Sequence, residues 1–167
     1  MISSFESTVA VMHFIFVTCA HLTFAVPLSY YDIREHRLPN KLTLALNGAV
    51  LSTAAIGALI VPELDTRVLG ACIIALVVGA LTFSVALFFP ASLGMGDAKV
   101  TPATVLLAAL GGAPVLLGAL AWVCGAGAIS ALWVLMRTKS TKTRFAFGPI
   151  ILSAPYGGLA LTLLGIF

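Results

Sequence analysis

The feature that most constrains this chain is a succession of long apolar runs, each separated from the next by a short polar segment. A helix that crosses a bilayer needs about 20 mostly apolar residues. Six runs approach that length, and they cover about 8–30, 42–61, 68–89, 97–110, 115–136 and 147–167. Only 9% of the residues are charged and the mean hydropathy is +1.12, whereas soluble domains carry about 25% charged residues. We therefore expect one all-α integral membrane domain over 1–167, a bundle of about six transmembrane helices.

Two of the six runs depart from a simple apolar span. The run at 97–110 is short, unless its helix begins close to Asp97. The last run contains Gly148-Pro149 and then Pro-Tyr-Gly-Gly at 155–158. Because proline and glycine interrupt helices, we expect the last span to be kinked or broken.

The basic residues predict an orientation. Eight of the nine Lys and Arg residues lie in the polar segments after the first, third and fifth runs, and Arg67 alone lies elsewhere. Basic loops stay in the cytoplasm, so both termini are expected outside, with Asp32 and Asp97 on the cytoplasmic side. The basic residues then serve topology and contacts with lipid headgroups. The net charge of +3 does not call for a nucleic acid partner.

Two acidic residues stand out among the six in the chain. Asp32 follows the first run, and Asp97 begins the fourth. Ionisable groups at such positions are costly and usually functional. Two carboxylates that share a site cannot both ionise cheaply, so one keeps its proton. An ionised carboxylate can take a proton from water while a protonated one hydrogen-bonds a scissile carbonyl, which predicts an aspartic peptidase.

The residues around Asp97 fit that chemistry. Gly94 and Gly96 remove side chains beside the carboxylate, so a substrate strand could approach it closely. A helix N-terminus favours an anion, which argues weakly for Asp97 as the more readily ionised member. Lys99 could limit the rise of the Asp97 pKa or hold a substrate carbonyl. The simpler alternative is that Asp97 caps the helix.

Other polar residues have an ordinary and a functional interpretation. Asp32 alone could be an interfacial acid paired with a neighbouring Arg or Lys. Glu35 could bind a substrate leader or be a solvated loop charge, and Tyr156 could line a substrate groove or pack. Asn40, after Pro39, is expected to cap the second helix. His13 and His21 are expected to be hydrogen-bonded within the membrane.

The three cysteines predict no metal site. Cys19, Cys72 and Cys124 are isolated within apolar runs and form no CxxC pair, so zinc binding by cysteine spacing is excluded. We expect neither a metal nor a cofactor.

Two segments together resemble the type IV prepilin peptidase family of membrane aspartic proteases. The first is Asp32 followed by Arg-Leu-Pro-Asn at 37–40, and the second is Gly-Met-Gly-Asp-Ala-Lys at 94–99. Phe147, Gly148 and Pro149 also resemble the C-terminal pattern of that family, and Gly148 and Pro149 could bind substrate.

The resemblance implies a function and a location. Asp32 and Asp97 would be the catalytic pair, supported by the motif residues around them and needing no cofactor. The substrate would be a prepilin or pseudopilin, cleaved at the cytoplasmic face of a bacterial or archaeal membrane, between its basic leader and its hydrophobic helix. The chain lacks the CxxC-bearing extension of larger members and is similar to the short peptidases of tight-adherence (Flp-type) pili. The resemblance therefore does not extend to N-methylation of the product.

Two other classes of function stay open. Acidic residues at helix ends and an interrupted last span also suit a small six-span transporter or channel. Against that, both acids are expected at one surface and no inverted half is visible in the sequence. A non-catalytic membrane scaffold is the third alternative.

Overall fold

The residues that the structure describes form six α-helices. The structure, a computed structural model, describes residues 2–90, 93–139 and 146–167. The helices are α1 (Ile2–Glu35), α2 (Asn40–Ile60), α3 (Asp65–Phe88), α4 (Met95–Leu110), α5 (Ala113–Thr138) and α6 (Gly148–Leu163). One 3₁₀ turn, Pro62–Leu64, joins α2 to α3, and the described residues contain no strand. The prediction of an all-α bundle of six helices is confirmed.

Four of the helices are long and apolar enough to cross a membrane, which identifies a multi-pass membrane protein. They are α2, α3, α5 and the part of α1 from Thr8 to Glu35. The other two, α4 and α6, have 16 residues each. At about 1.5 Å per residue they are about 24 Å long, less than the roughly 30 Å of a bilayer core.

The short helix α4 is the centre of the bundle. It packs against α1, α2, α3, α5 and α6, and buried residues occur along its whole length, from Ala98 to Leu110. Protein therefore surrounds most of α4 where lipid would surround an outer helix. The helix begins two residues before Asp97, as the short fourth run required.

The last helix is not broken. α6 continues from Gly148 to Leu163 with Pro155 inside it. Its glycines serve contact with α5: a Cβ on Gly158 would overlap the carbonyl of Val115, and one on Gly157 would overlap the ring of Trp122. Small residues of this kind let helix backbones approach closely in a membrane. The glycines that contributed to the predicted interruption thus serve helix packing, and the helix is continuous.

The first helix is longer than the first apolar run. It continues through the polar residues to Glu35 and ends at His36, whose φ of 49° is left-handed. Buried positions on α1 recur every three or four residues through Val17, His21, Ala25, Leu28 and Asp32. Asp32 therefore lies on the inner face of the helix and not in the loop that hydropathy predicted.

Candidate active site at one end of the bundle

Asp32 is a buried carboxylate with a specific donor. Only 7% of its surface is exposed, although it lies at the end of a spanning helix. The backbone N–H of Gly148 donates a hydrogen bond to Asp32 Oδ2 at 2.9 Å. The donor belongs to the first turn of α6, so the N-terminal end of that helix dipole favours the anionic carboxylate. Nearby Arg34 lies over the ring of Tyr30 instead, so Asp32 is not the solvated acid of the simpler alternative.

Gly148 leaves no room for a side chain. A Cβ at this position would come within 2.7 Å of Asp32 Oδ2 and 3.1 Å of its Cγ. Pro149 follows as one of the first residues of α6, where a missing N–H removes no helical hydrogen bond. We predicted Gly148 and Pro149 as possible substrate-binding residues. The structure places Gly148 against the carboxylate and Pro149 at the start of the helix that holds it.

Asp97 lies in the first turn of α4, outside the four spanning helices. The residue that caps α4 is Gly94, so the alternative that Asp97 is the cap is wrong. The Asp97 carboxylate lies close to the Gly94 backbone, which lowers its pKa. A Cβ on Gly94 would lie 3.0 Å from Asp97 Oδ2, so glycine at this position lets the carboxylate fold against the backbone.

The two carboxyl groups act on each other electrostatically. Burial and then the negative charge of Asp32 raise the pKa of Asp97 to about 6, against the lowering effect of the Gly94 N–H. Asp97 therefore keeps its proton to a higher pH than an isolated aspartate does. Burial and the charge of Asp32 therefore oppose the effect expected from the helix N-terminus at Asp97.

The second glycine of the motif is a packing position. A Cβ on Gly96 would lie 3.1 Å from the Cβ of Leu38, in the link between α1 and α2. This contact holds the first turn of α4 against the segment that follows Asp32. The α1–α2 link and the first turns of α4 and α6 therefore meet at one end of the bundle.

Lys99 and Asn40 form a polar link between α4 and α2. The Lys99 ammonium donates to Asn40 Oδ1 at 2.8 Å. Asn40 is the first residue of α2, Pro39 precedes it at the cap position, and no side chain caps this helix. The prediction that Asn40 caps α2 is wrong, because its side chain binds Lys99. The same contact directs the Lys99 ammonium towards α2. Lys99 is not among the groups that shift the Asp97 pKa.

The remaining predicted residues lie away from the carboxylates or in another contact. Glu35 is exposed at the end of α1. Tyr156 is bound to His21, with 2.7 Å between its hydroxyl and His21 Nδ1. His21 is fully buried, and its Nε2 lies 3.4 Å from Thr104 Oγ1. His13 donates through Nε2 to the carbonyl of Ala54. Both histidines are hydrogen-bonded, as expected.

The hydroxyls around His21 fix its tautomer. Thr104 donates its proton to the carbonyl of Val100, so His21 Nε2 carries the hydrogen towards Thr104 Oγ1. Nδ1 then accepts from the Tyr156 hydroxyl. This neutral arrangement ties α1, α4 and α6 together inside the bundle.

An apolar groove leads away from the acidic site. It has a volume of about 400 Å³ and lies between α3 and α5, with α4 and α6 as its floor. Its lining includes Val78 and Thr82 of α3, Thr101 and Val105 of α4, Leu117 and Leu120 of α5, Ile151 of α6, and Leu93 and Phe147. Leu117 and Leu120 are more than half exposed, so the groove opens sideways. Leu93 and Phe147 immediately precede the segments that contain Asp97 and Gly148. Tyr156 is not among the lining residues, so its predicted groove role is not seen.

Sequence reasoning missed Asn47, which lies inside the second apolar run. Its carboxamide binds α4 in the turn that contains Pro102. The available signal was one amide side chain in a spanning helix, together with a proline inside the fourth run.

Comparison with known proteins does not identify the site. Within residues 2–90, 93–139 and 146–167, no three His, Cys, Asp or Glu side chains come together as metal ligands. The three cysteines are free. Comparison with family models, with curated proteins and with solved structures gives no match.

Proposed function

We propose that this chain is a membrane aspartic endopeptidase that removes short basic leaders from prepilins or pseudopilins at the cytoplasmic face of the membrane. The observation that carries the proposal is the pair of acids from distant segments. Asp32 is buried against the Gly148 N–H, and its charge helps to raise the pKa of Asp97 to about 6. Divergent environments of two carboxyl groups are the usual sign of an acid–base pair.

The geometry supports a division of roles. Asp32, stabilised as an anion by the N-terminal end of α6, accepts a proton from water, whose oxygen attacks the scissile carbonyl carbon. Asp97, whose pKa is raised to about 6, hydrogen-bonds the carbonyl oxygen in its protonated form and stabilises the tetrahedral intermediate. The proton held by Asp32 then passes to the amide nitrogen as the C–N bond breaks. No cofactor enters any of these steps.

The groove supports a substrate with an apolar helix. A peptide cut next to a hydrophobic segment must place that segment in the membrane while the cut bond lies at the boundary. The groove between α3 and α5 opens sideways and begins beside Leu93 and Phe147, next to the acidic end of the bundle. An apolar helix can lie in such a groove, which would leave a basic leader outside the membrane.

The charge pattern supports the cytoplasmic side. Arg34, Arg37 and Lys41 lie near Asp32 in sequence, and Arg137 and Lys139 lie at the end of α5. Lys142 and Arg144, which were also counted in this pattern, lie outside the described residues. The concentration of basic residues after the odd-numbered spans is typical of cytoplasmic loops.

The test is leader removal in cells that co-express the chain with a prepilin-type substrate, read as a mobility shift of the substrate. Asp32→Asn and Asp97→Asn are each expected to abolish the shift. Asp65→Asn is the matched control, because Asp65 is also an acid in the first turn of a helix but lies at the other end of the bundle. Full processing by either of the first two variants would exclude the proposal, and so would its absence with the unmodified chain. A transporter or a scaffold predicts no dependence of processing on these residues.

A further inference from the structure

The carboxamide of Asn47 occupies an unusual position between α2 and α4. Nδ2 donates to the Lys99 carbonyl at 2.8 Å and to the Thr43 carbonyl at 2.8 Å. Oδ1 accepts from the backbone N–H of Ala103 at 3.2 Å. Lys99 and Ala103 are four residues apart, so their carbonyl and N–H are the two partners of one turn of an ideal α-helix. A single side chain of α2 thus binds both ends of that turn.

The bridged turn is the weakest one in α4, because it contains Pro102. Proline has no N–H to donate, and its ring crowds the preceding turn. A side chain that inserts into the hydrogen-bond ladder is a known cause of a local bend. Asn47 supplies a donor and an acceptor on one side of this turn. On another side Gly79 of α3 packs so closely that a Cβ would lie 2.8 Å from Pro102 Cγ.

The turn lies next to the acidic end of α4. Asp97 is five residues before Pro102, and Lys99, whose carbonyl Asn47 binds, also reaches Asn40 at the start of α2. Two amide side chains of α2 therefore hold the first two turns of α4. A helix whose ladder is interrupted at Pro102 could otherwise tilt its first turn about that point.

We propose that Asn47 is a positioning residue that bridges α4 at Pro102 and thereby sets where the first turn of α4, with Asp97, lies against the α1–α2 link. The consequence for cleavage depends on the peptidase function proposed above, whereas the placement of the turn does not. Removing the bridge displaces the first turn of α4. In a Pro102→Ala chain, residue 102 regains an N–H that can bond the carbonyl of Ala98, so the ladder is continuous through this turn and the bridge matters less.

The placement can be measured without any substrate. A Cβ on Gly96 would lie 3.1 Å from the Cβ of Leu38, close to the roughly 3.5–4.5 Å of a disulfide. Leu38→Cys with Gly96→Cys, in a chain whose native cysteines are replaced by alanine, gives a disulfide that reports this contact. Its rate of formation in oxidised membranes is followed by loss of maleimide labelling.

We expect Asn47→Leu to slow disulfide formation by about 3- to 20-fold, the range that interhelical hydrogen bonds in membranes imply. In a Pro102→Ala background the same change is expected to slow it by less than about twofold. Ser52→Ala is the control, because Ser52 is exposed on α2 and bonds only its own helix. An unchanged rate in Asn47→Leu, or an equal slowing in both backgrounds, would overturn the proposal. Asn47→Ser replaces the leucine variant if that variant does not insert.

A cleavage assay then separates this proposal from the peptidase function. Asn47→Leu in the chain with its native Leu38 and Gly96 is expected to lower kcat by at least the factor seen in disulfide formation, with KM within about twofold, because the change affects the reacting groups and not the groove. A rise in KM at constant kcat would contradict positioning of Asp97. If the unmodified chain removes no leader, the peptidase function fails, and the disulfide rates still decide the role of Asn47.

Discussion

Replacing Gly148 by alanine tests the arrangement of the acidic site most sharply. The new methyl group would lie 2.7 Å from Asp32 Oδ2 and 3.1 Å from Cγ. To reach ordinary contact the carboxylate must move by about 0.5–1 Å, which lengthens or breaks its bond from the Gly148 N–H. A hydrogen bond to a charged group is worth about 1.5–3 kcal/mol, and a misplacement of about 1 Å at a reacting group can cost about 10²-fold. We therefore expect kcat for leader removal to fall by about 10- to 150-fold.

The assay is cleavage of a prepilin-type substrate by purified protein in detergent, with thermal unfolding measured on the same samples. Gly70→Ala is the matched control, because it makes the same change in a helix where no atom lies within 4 Å of the added Cβ. We expect its kcat to stay within about twofold of the parent. A folded Gly148→Ala protein with the kcat of the parent would refute the assignment of Gly148 as the residue that holds Asp32.

Two further predictions concern the pH dependence and the groove. Because the Asp97 pKa is raised from 3.8 to about 6, the folded chain keeps a proton that the unfolded chain releases, so thermal stability in detergent falls as pH rises from about 4 to about 6. Asp97→Asn should remove this fall, and an unchanged pH dependence in that variant would contradict the raised pKa. Thr82→Trp, which narrows the groove, should raise KM about tenfold, the effect of about 1–2 kcal/mol of overpacking. Leu76→Trp on the exposed side of α3 should leave KM unchanged, and equal effects of the two tryptophans would contradict a substrate helix in the groove.

Hydropathy and charge were sufficient to predict the number of helices and the two acids at helix ends. They failed at the boundary of α1, because a hydropathy scale scores Asp32 as polar and therefore predicts that it lies in a loop. The spacing from Val17 through His21 and Leu28 to Asp32 carried the better signal, since it places the carboxylate on the inner face of a continuing helix. At such a position, the spacing of apolar residues predicts the end of a helix better than the polarity of a single residue does.

The partners of the acids could not be predicted, because they depend on contacts between distant segments. The bond from Gly148 to Asp32 joins residues 116 positions apart. The sequence alone identified Gly148 as a motif residue and predicted that it could bind substrate. Asn47 was missed for the same reason: its role exists only where α2 meets the Pro102 turn of α4. Pro155 lies inside a continuous α6, so the proline did not mark a break in the helix.

The most direct test of the account is the fate of the water oxygen during cleavage. The purified chain is incubated with a prepilin-type substrate in water enriched in ¹⁸O, and the released leader is analysed by mass spectrometry. Direct attack by water between Asp32 and Asp97 predicts one ¹⁸O in the new C-terminal carboxylate of the leader, and no leader from either aspartate-to-asparagine variant. Labelled leader released by Asp32→Asn or Asp97→Asn, or no leader from the unmodified chain, would contradict it.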